Sequence, residues 1–159
     1  MATIKQGDTR NPGLKMSVFL ADDDSDDRTI FSEAFEKIRD DLQTELLLFE
    51  NGLELIAHMK STTELPHIIF LDLNMPLKSG KECLRELRQD RRFDGVSIAI
   101  YSTSNAASDI EDTFSGGANV YIHKPDNFDQ LKKALRQVLK LNWQFHMTGM
   151  NKETFFLNI

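Results

Sequence analysis

The sequence predicts a doubly wound α/β domain built on one five-stranded parallel sheet, and three observations carry that prediction. Five short apolar runs recur along the chain, and segments with helical apolar spacing separate them. Strands that alternate with helices imply right-handed parallel crossovers, which place helices on both faces of a single sheet. Acids, hydroxyls and a lysine stand where the runs give way to loops. In open α/β sheets the ligand site lies beyond the carboxyl ends of the strands, so chemistry is expected there.

The first run, residues 16–21, has the length and polar borders of a buried strand. Ile30, Phe31, Ala34, Phe35 and Ile38 then repeat at helical spacing. Residues 45–49 form the second strand, and Leu53, Ile56, Ala57 and Met59 the apolar face of the next helix. The third run, 68–73, breaks at Pro76, and Cys83, Leu84 and Leu87 follow on a helix. Residues 96–101 read as the fourth strand. A short helix is predicted around Asp109 to Phe114, where Ile110 and Phe114 are the large apolar residues and Gly116-Gly117 ends the pattern. The fifth strand, 119–123, leads into the most regular amphipathic stretch, Phe128, Leu131, Leu135, Val138 and Leu139.

The 159 residues fit one core, with 40% hydrophobic and 28% charged residues, unlike a disordered chain. A formal net charge of -6 repels a phosphate backbone, so direct nucleic-acid binding is not expected. Cys83 is the single cysteine, which excludes an internal disulfide and a cysteine-rich metal site. No run approaches the roughly 20 apolar residues of a membrane span, and the first residues lack a secretory pattern, so a cytoplasmic protein with no membrane partner is expected. Residues 1–14 read as a flexible leader, 15–140 as the domain and 141–159 as an aromatic extension. Trp143, Phe145, Phe155, Phe156 and Leu157 make that extension too apolar for a solvated tail, so it should dock on this subunit or on a neighbour in a homodimer.

Asp22, Asp23 and Asp24 stand at the end of the first strand. Ser25 can cap a following helix, and Asp26 and Asp27 suit the positive end of its dipole. Capping does not explain Asp22 and Asp23, because close like charges at a buried strand end need a cation or protons. For this run alone, cap and metal site both stay open. The third strand runs straight into Asp72, and Gly80 there permits backbone conformations other residues resist. Ends of neighbouring parallel strands lie roughly 5 Å apart, so Asp22, Asp23 and Asp72 can share a hard cation such as Mg²⁺. Ser102, Thr103 and Ser104 end the fourth strand, and Lys124-Pro125 follows the fifth. Each alone reads plainly as a turn or a solvated charge. Together at successive strand ends, a hydroxyl and an ammonium beside a metal-carboxylate site suit phosphoryl transfer, which needs positioning and charge neutralisation.

This order of residues resembles the receiver domains of bacterial response regulators over roughly residues 15–140. It is specific: an acid pair after strand one, LDLNMPxxxG ending strand three, a hydroxyl after strand four and Lys-Pro after strand five. The resemblance implies a flavodoxin-like strand order 2-1-3-4-5 with Asp72 as phosphoacceptor. It implies that Asp23 and Asp72 bind Mg²⁺ through carboxylates, Asn74 through its backbone carbonyl, and Asp22 directly or through water. Ser102 would bond the phosphoryl oxygens and Lys124 would pair with one. Tyr121 matches an aromatic switch residue whose ring turns inward on activation, the plain alternative being a surface strand aromatic. A cis bond between Lys124 and Pro125 is implied as well. Ser102 in place of the commoner threonine and the extra acid Asp24 depart from the pattern without removing a required group. The STS run and the aromatic tail resemble small stand-alone regulators associated with phytochrome-type kinases.

The resemblance implies a sensor histidine kinase or a histidine phosphotransfer protein as partner, and output through protein contacts on the fourth and fifth strands and helices. No enzymatic turnover is expected beyond self-catalysed phosphoryl transfer to Asp72 and hydrolysis from it. An aspartyl-phosphate phosphohydrolase of the haloacid-dehalogenase type needs a second carboxylate two residues after the nucleophile, where this chain has Asn74. A flavodoxin-like cofactor binder needs a phosphate loop after strand one, where five aspartates would repel phosphate. An unphosphorylated receiver-fold interaction module is the remaining alternative.

Overall fold

The computed structural model describes residues 15–39, 43–145 and 155–157. The leader expected at residues 1–14 lies outside the described residues. Along the chain run β1 (Lys15–Ala21), α1 (Ser25–Ile38), β2 (Gln43–Phe49), α2 (Gly52–Ser61), β3 (Ile68–Leu71) and α3 (Gly80–Gln89). A 3-10 turn (Arg91–Phe93) leads to β4 (Ser97–Ser102), α4 (Ala107–Ser115), β5 (Val120–His123), α5 (Phe128–Phe145) and β6 (Phe156–Leu157). The sheet order is β2-β1-β3-β4-β5-β6, parallel throughout. The predicted order 2-1-3-4-5 therefore holds, and the sheet gains a sixth strand from the aromatic tail. The reason is physical: β5 would otherwise be an edge with unpaired backbone groups, and an apolar segment can pair with it while burying a ring.

β3 and β4 are buried along their whole length, as expected of strands covered on both faces. Alternation sorts the core in two. Phe19, Ile69, Leu71, Ile98 and Ile100 face α2 and α3, whereas Val18, Leu20, Ile68, Phe70 and Tyr101 face Phe31 and Phe35 of α1 and Leu131 and Leu135 of α5. Two residues expected on apolar helix faces, Ile30 and Leu53, are 44% and 46% exposed, and Leu55 fills the α2 position instead. Helical spacing alone leaves the phase of a short face uncertain by one residue. Asp24, Asn51 and Ser79 cap α1, α2 and α3, so the α1 cap is Asp24 and not Ser25. α5 continues to Phe145.

The amino ends of β4 and β5 are tied together by Arg88, whose guanidinium donates to the carbonyls of Phe93, Val96 and Gly117 and to Asn119 Oδ1, each at 2.9 Å. The carboxyl ends are left for the site. There Gly80 matters for closeness and not, as expected, for an unusual conformation: a Cβ on it would lie 2.2 Å from the Asp72 carbonyl oxygen. The left-handed residue of this loop is Leu77, at φ 70°. Gly80→Ala should lower stability in urea by about 1–3 kcal/mol by overpacking against the backbone. Gly95→Ala, with nothing within 4 Å of its Cβ, should stay within about 0.5 kcal/mol of wild type.

Candidate functional site

Register places the carboxylates. Ala21 pairs with Leu71, so the next residues, Asp22 and Asp72, emerge side by side from β1 and β3. Their backbones are fixed by Asp22 N–H to Phe49 O at 3.1 Å and Asp72 N–H to Ala21 O at 3.0 Å. Carboxylate oxygens of Asp22, Asp23 and Asp72 all lie within 4.8 Å of one another. Asp22 and Asp72 are buried and Asp23 is exposed.

Lys124 follows β5 and reaches across the strand ends. Its Nζ lies 2.9 Å from Asp22 Oδ2, 2.8 Å from Asp27 Oδ2 and 3.7 Å from Asp72 Oδ2. It also stands 5.2 Å from the centre of the Tyr101 ring. Its N–H donates to Ser102 O at 2.8 Å, which fixes where the side chain starts. The described residues contain no cis peptide bond, so the Lys124–Pro125 bond is trans, contrary to expectation. The trans form is favoured by about 0.5–1 kcal/mol before proline, and the ammonium reaches its three carboxylates from it.

The electrostatics follow from burial. Desolvation raises the Asp72 carboxyl to about 6, with Lys124 lowering it and Asp22 raising it further. Asp22 is raised too, by burial first, partly offset by the Asp24 N–H and by Lys124. Burial alone would lower Lys124, but its hydrogen bonds to Asp27 and Asp22 win and raise it. Two clustered, desolvated carboxylates with an open, exposed third are a donor set that fits a hard divalent cation, which would relieve their repulsion.

Asn74 is exposed, and its backbone N–H bonds the Asp72 carboxylate. Ser102 is fully buried at the end of β4, its hydroxyl accepting from Ser104 N–H at 3.1 Å. Tyr121 is fully buried and is not a surface aromatic. Its hydroxyl donates to Ser104 O at 2.7 Å. Thr103 is exposed, and its carbonyl pairs with His123 Nε2. Sequence reasoning missed Asp27 and Arg28. Asp27 suits the helix dipole on sequence grounds, yet it holds Lys124, and Arg28 donates to Asp22 O at 2.8 Å. The signal was available: both residues lie in the first turn of α1, beside the strand end.

The chain matches the response regulator receiver domain family over residues 18–136. It is 23% identical over 146 residues to the probable methanogenesis regulatory protein FilR2 of Methanothrix harundinacea, covering 88% of this chain and 93% of that one. It is 25% identical over 126 residues to response regulator Rcp1 of Synechocystis, covering 76% and 84%. The structure of Rcp1 in its Mn²⁺-bound form superimposes with a TM-score of 0.71. The phosphorylated cyanobacterial phytochrome response regulator RcpA superimposes with a TM-score of 0.74 at 26% identity, covering 81% of this chain and 94% of that one. A parallel α/β sheet with the β2-β1-β3-β4-β5 order is the fold this chain shares with these structures. The chain belongs to the response regulator receiver domain family of two-component signalling. Among the described residues no helix is long and apolar enough to cross a membrane.

The raised Asp72 carboxyl has a consequence for stability. With an ordinary value of 3.8 unfolded and about 6 folded, the folded chain holds the proton more tightly. That contribution is present below about pH 4 and lost as pH rises through about 6. In urea without divalent cations, Asp72→Asn should therefore gain on wild type as pH rises from about 5 to 7.5, by about 1 kcal/mol. Saturating Mg²⁺ should stabilise wild type and leave Asp72→Asn nearly unchanged.

Proposed function

We propose that this chain accepts a phosphoryl group on Asp72 from a phosphohistidine of a sensor histidine kinase or a phosphotransfer protein, and passes the signal on by protein contacts. The observation that carries this reading is the meeting of three carboxylates within 4.8 Å beside the Lys124 ammonium, 3.7 Å from Asp72. Mg²⁺ would be held by the carboxylates of Asp23 and Asp72, by Asp22 directly or through water, and by the Asn74 carbonyl. Bound there, it would supply positive charge that keeps Asp72 ionised and neutralises phosphoryl oxygens.

An Asp72 carboxylate oxygen attacks phosphorus in line, the phosphorus–nitrogen bond to the donor imidazole breaks, and the imidazole leaves with that electron pair and takes up a proton. The product is an acyl phosphate. Lys124 exchanges part of its hold on Asp22 and Asp27 for a phosphoryl oxygen, and the Ser102 hydroxyl turns from Ser104 N–H to another. Ser104, which the Tyr121 hydroxyl also holds, moves with it. The buried Tyr121 ring is compatible with the inward position that the resemblance implies for activation. Spanning 93% and 84% of two curated relatives supports reading the chain as a regulator of the receiver type. The likeness to the phytochrome response regulator RcpA favours a phytochrome-type kinase as the donor.

Incubation with a small phosphodonor such as acetyl phosphate and Mg²⁺ should add one phosphoryl group by intact mass. Chelation of the metal, or Asp72→Asn, should abolish it. Lys124→Ala should slow it by about 100-fold. Labelling that persists in Asp72→Asn would overturn the assignment.

A further inference from the structure

Among the described residues the aromatic tail meets the sheet at Phe155–Leu157, and the residues it meets there lie on the path from Asp72 to the signalling face proposed above. Phe156 and Leu157 pair in parallel with β5, in register with Tyr121 and Ile122. Phe155, at 1% exposure, packs its ring 5.2 Å from that of Phe114 in α4 and 6.2 Å from that of Tyr121, both at steep interplanar angles. These are edge-to-face contacts of the favourable kind.

One of the two elements Phe155 touches, α4, is less firmly anchored at its start than the other helices. α4 has Ala106 at its N-cap and so no side-chain cap, unlike α1, α2 and α3. Its start is fixed by Ser104, whose hydroxyl donates to Asp109, and by Lys81, which pairs with Asp109 and Asp112. Its far turn rests on Phe114, only partly buried, and Phe114 rests on Phe155. Tyr121 stands between: one side of its ring lies against Phe155 and its hydroxyl holds Ser104. Ser104 N–H in turn bonds the Ser102 hydroxyl.

We propose that the α4–β5 face is a strand-addition surface whose occupant is this chain's own Phe155–Leu157 segment, and that docking of the segment is linked to phosphorylation of Asp72 through Tyr121 and Ser104. The inference rests on the phosphoacceptor reading of Asp72. Docking by strand pairing with one ring in a pocket is a mode that main-chain bonds make strong and a single side chain makes selective. The docked ring closes over Tyr121 in its buried position, so it favours the arrangement that the phosphoryl group also favours. Linkage is reciprocal: a docked tail raises affinity for the phosphoryl state, and the phosphoryl state tightens the tail. A partner seeking the α4–β5 face must then either displace the tail or read it as part of the surface.

Beryllofluoride with Mg²⁺, which imitates an aspartyl phosphate, serves as the probe on the full chain. Calorimetry gives its affinity, and hydrogen–deuterium exchange follows the peptide that carries residues 155–157. In wild type, the probe should slow exchange in that peptide. Phe155→Ala should weaken probe binding by about 5- to 10-fold, and cooperative urea unfolding should show that the domain is still folded. Phe155→Leu, which keeps an apolar plug without the ring, covers the case in which the alanine variant does not fold, and should weaken binding in the same direction.

Tyr121→Phe keeps the ring against Phe155 and removes the bond to Ser104. It should leave tail exchange near wild type without the probe and abolish the slowing caused by the probe. Adding Phe155→Ala to Tyr121→Phe should change probe affinity by no more than about 2-fold. Equal probe affinity in wild type and Phe155→Ala, or fully additive effects, would overturn the linkage and leave the phosphoacceptor reading standing. A wild-type chain that binds no probe would overturn both. A Phe155 effect seen only at concentrations where the chain dimerises would assign the surface to a second copy and overturn docking within one chain.

Discussion

Like charges held close at the ends of parallel strands are the constraint on which the site depends. The pairing of Ala21 with Leu71 leaves Asp22 and Asp72 no choice of position, and burial removes the water that would screen them. Lys124 answers part of that charge from the end of β5, two strands from β3, and its own seat is shared with Asp27 of α1. A one-residue slip between β1 and β3 would turn one of the two carboxylates toward the opposite face, so register and chemistry are a single requirement.

The same geometry gives the site two exits. Toward α1, the Lys124 ammonium joins the carboxylates to the first helical turn, where Arg28 also grips the Asp22 carbonyl. Toward α4, the route is made of hydroxyls: Ser102, then Ser104, then Asp109 and the Tyr121 phenol. Burial holds that phenol above its ordinary value, with the Ser102 and Ser104 bonds partly offsetting it. Cys83, buried in the core with its thiol pushed up to about 12, takes no part in either exit.

Much of this was legible beforehand because strand ends and helix faces follow from apolar periodicity, and because acids at a buried strand end have few explanations. Asp22, Asp23, Asp72 and Lys124 were all placed at one sheet edge from the sequence, and the structure brings them together. What escaped was decided by local packing. Whether Ser25 or Asp24 caps α1 depends on one residue of phase, and Asp27 gained its role only because the first turn of α1 leans over the strand ends. The closeness of Gly80 to the Asp72 carbonyl could not be read from a glycine in a loop, which looks alike whether it supplies space or an unusual torsion. The sixth strand was hidden for a different reason. Two residues carry no periodicity, and only their apolar character hinted that the tail must be covered.

That short strand also bears on how the protein behaves in a crowded solution. An open parallel edge invites main-chain pairing with other molecules, and proteins commonly blunt such edges. Phe156 and Leu157 blunt the β5 edge with the chain's own backbone. Release of three residues would uncover a bare rim and an aromatic socket at the same moment, so the departure of one short strand would create adhesive surface.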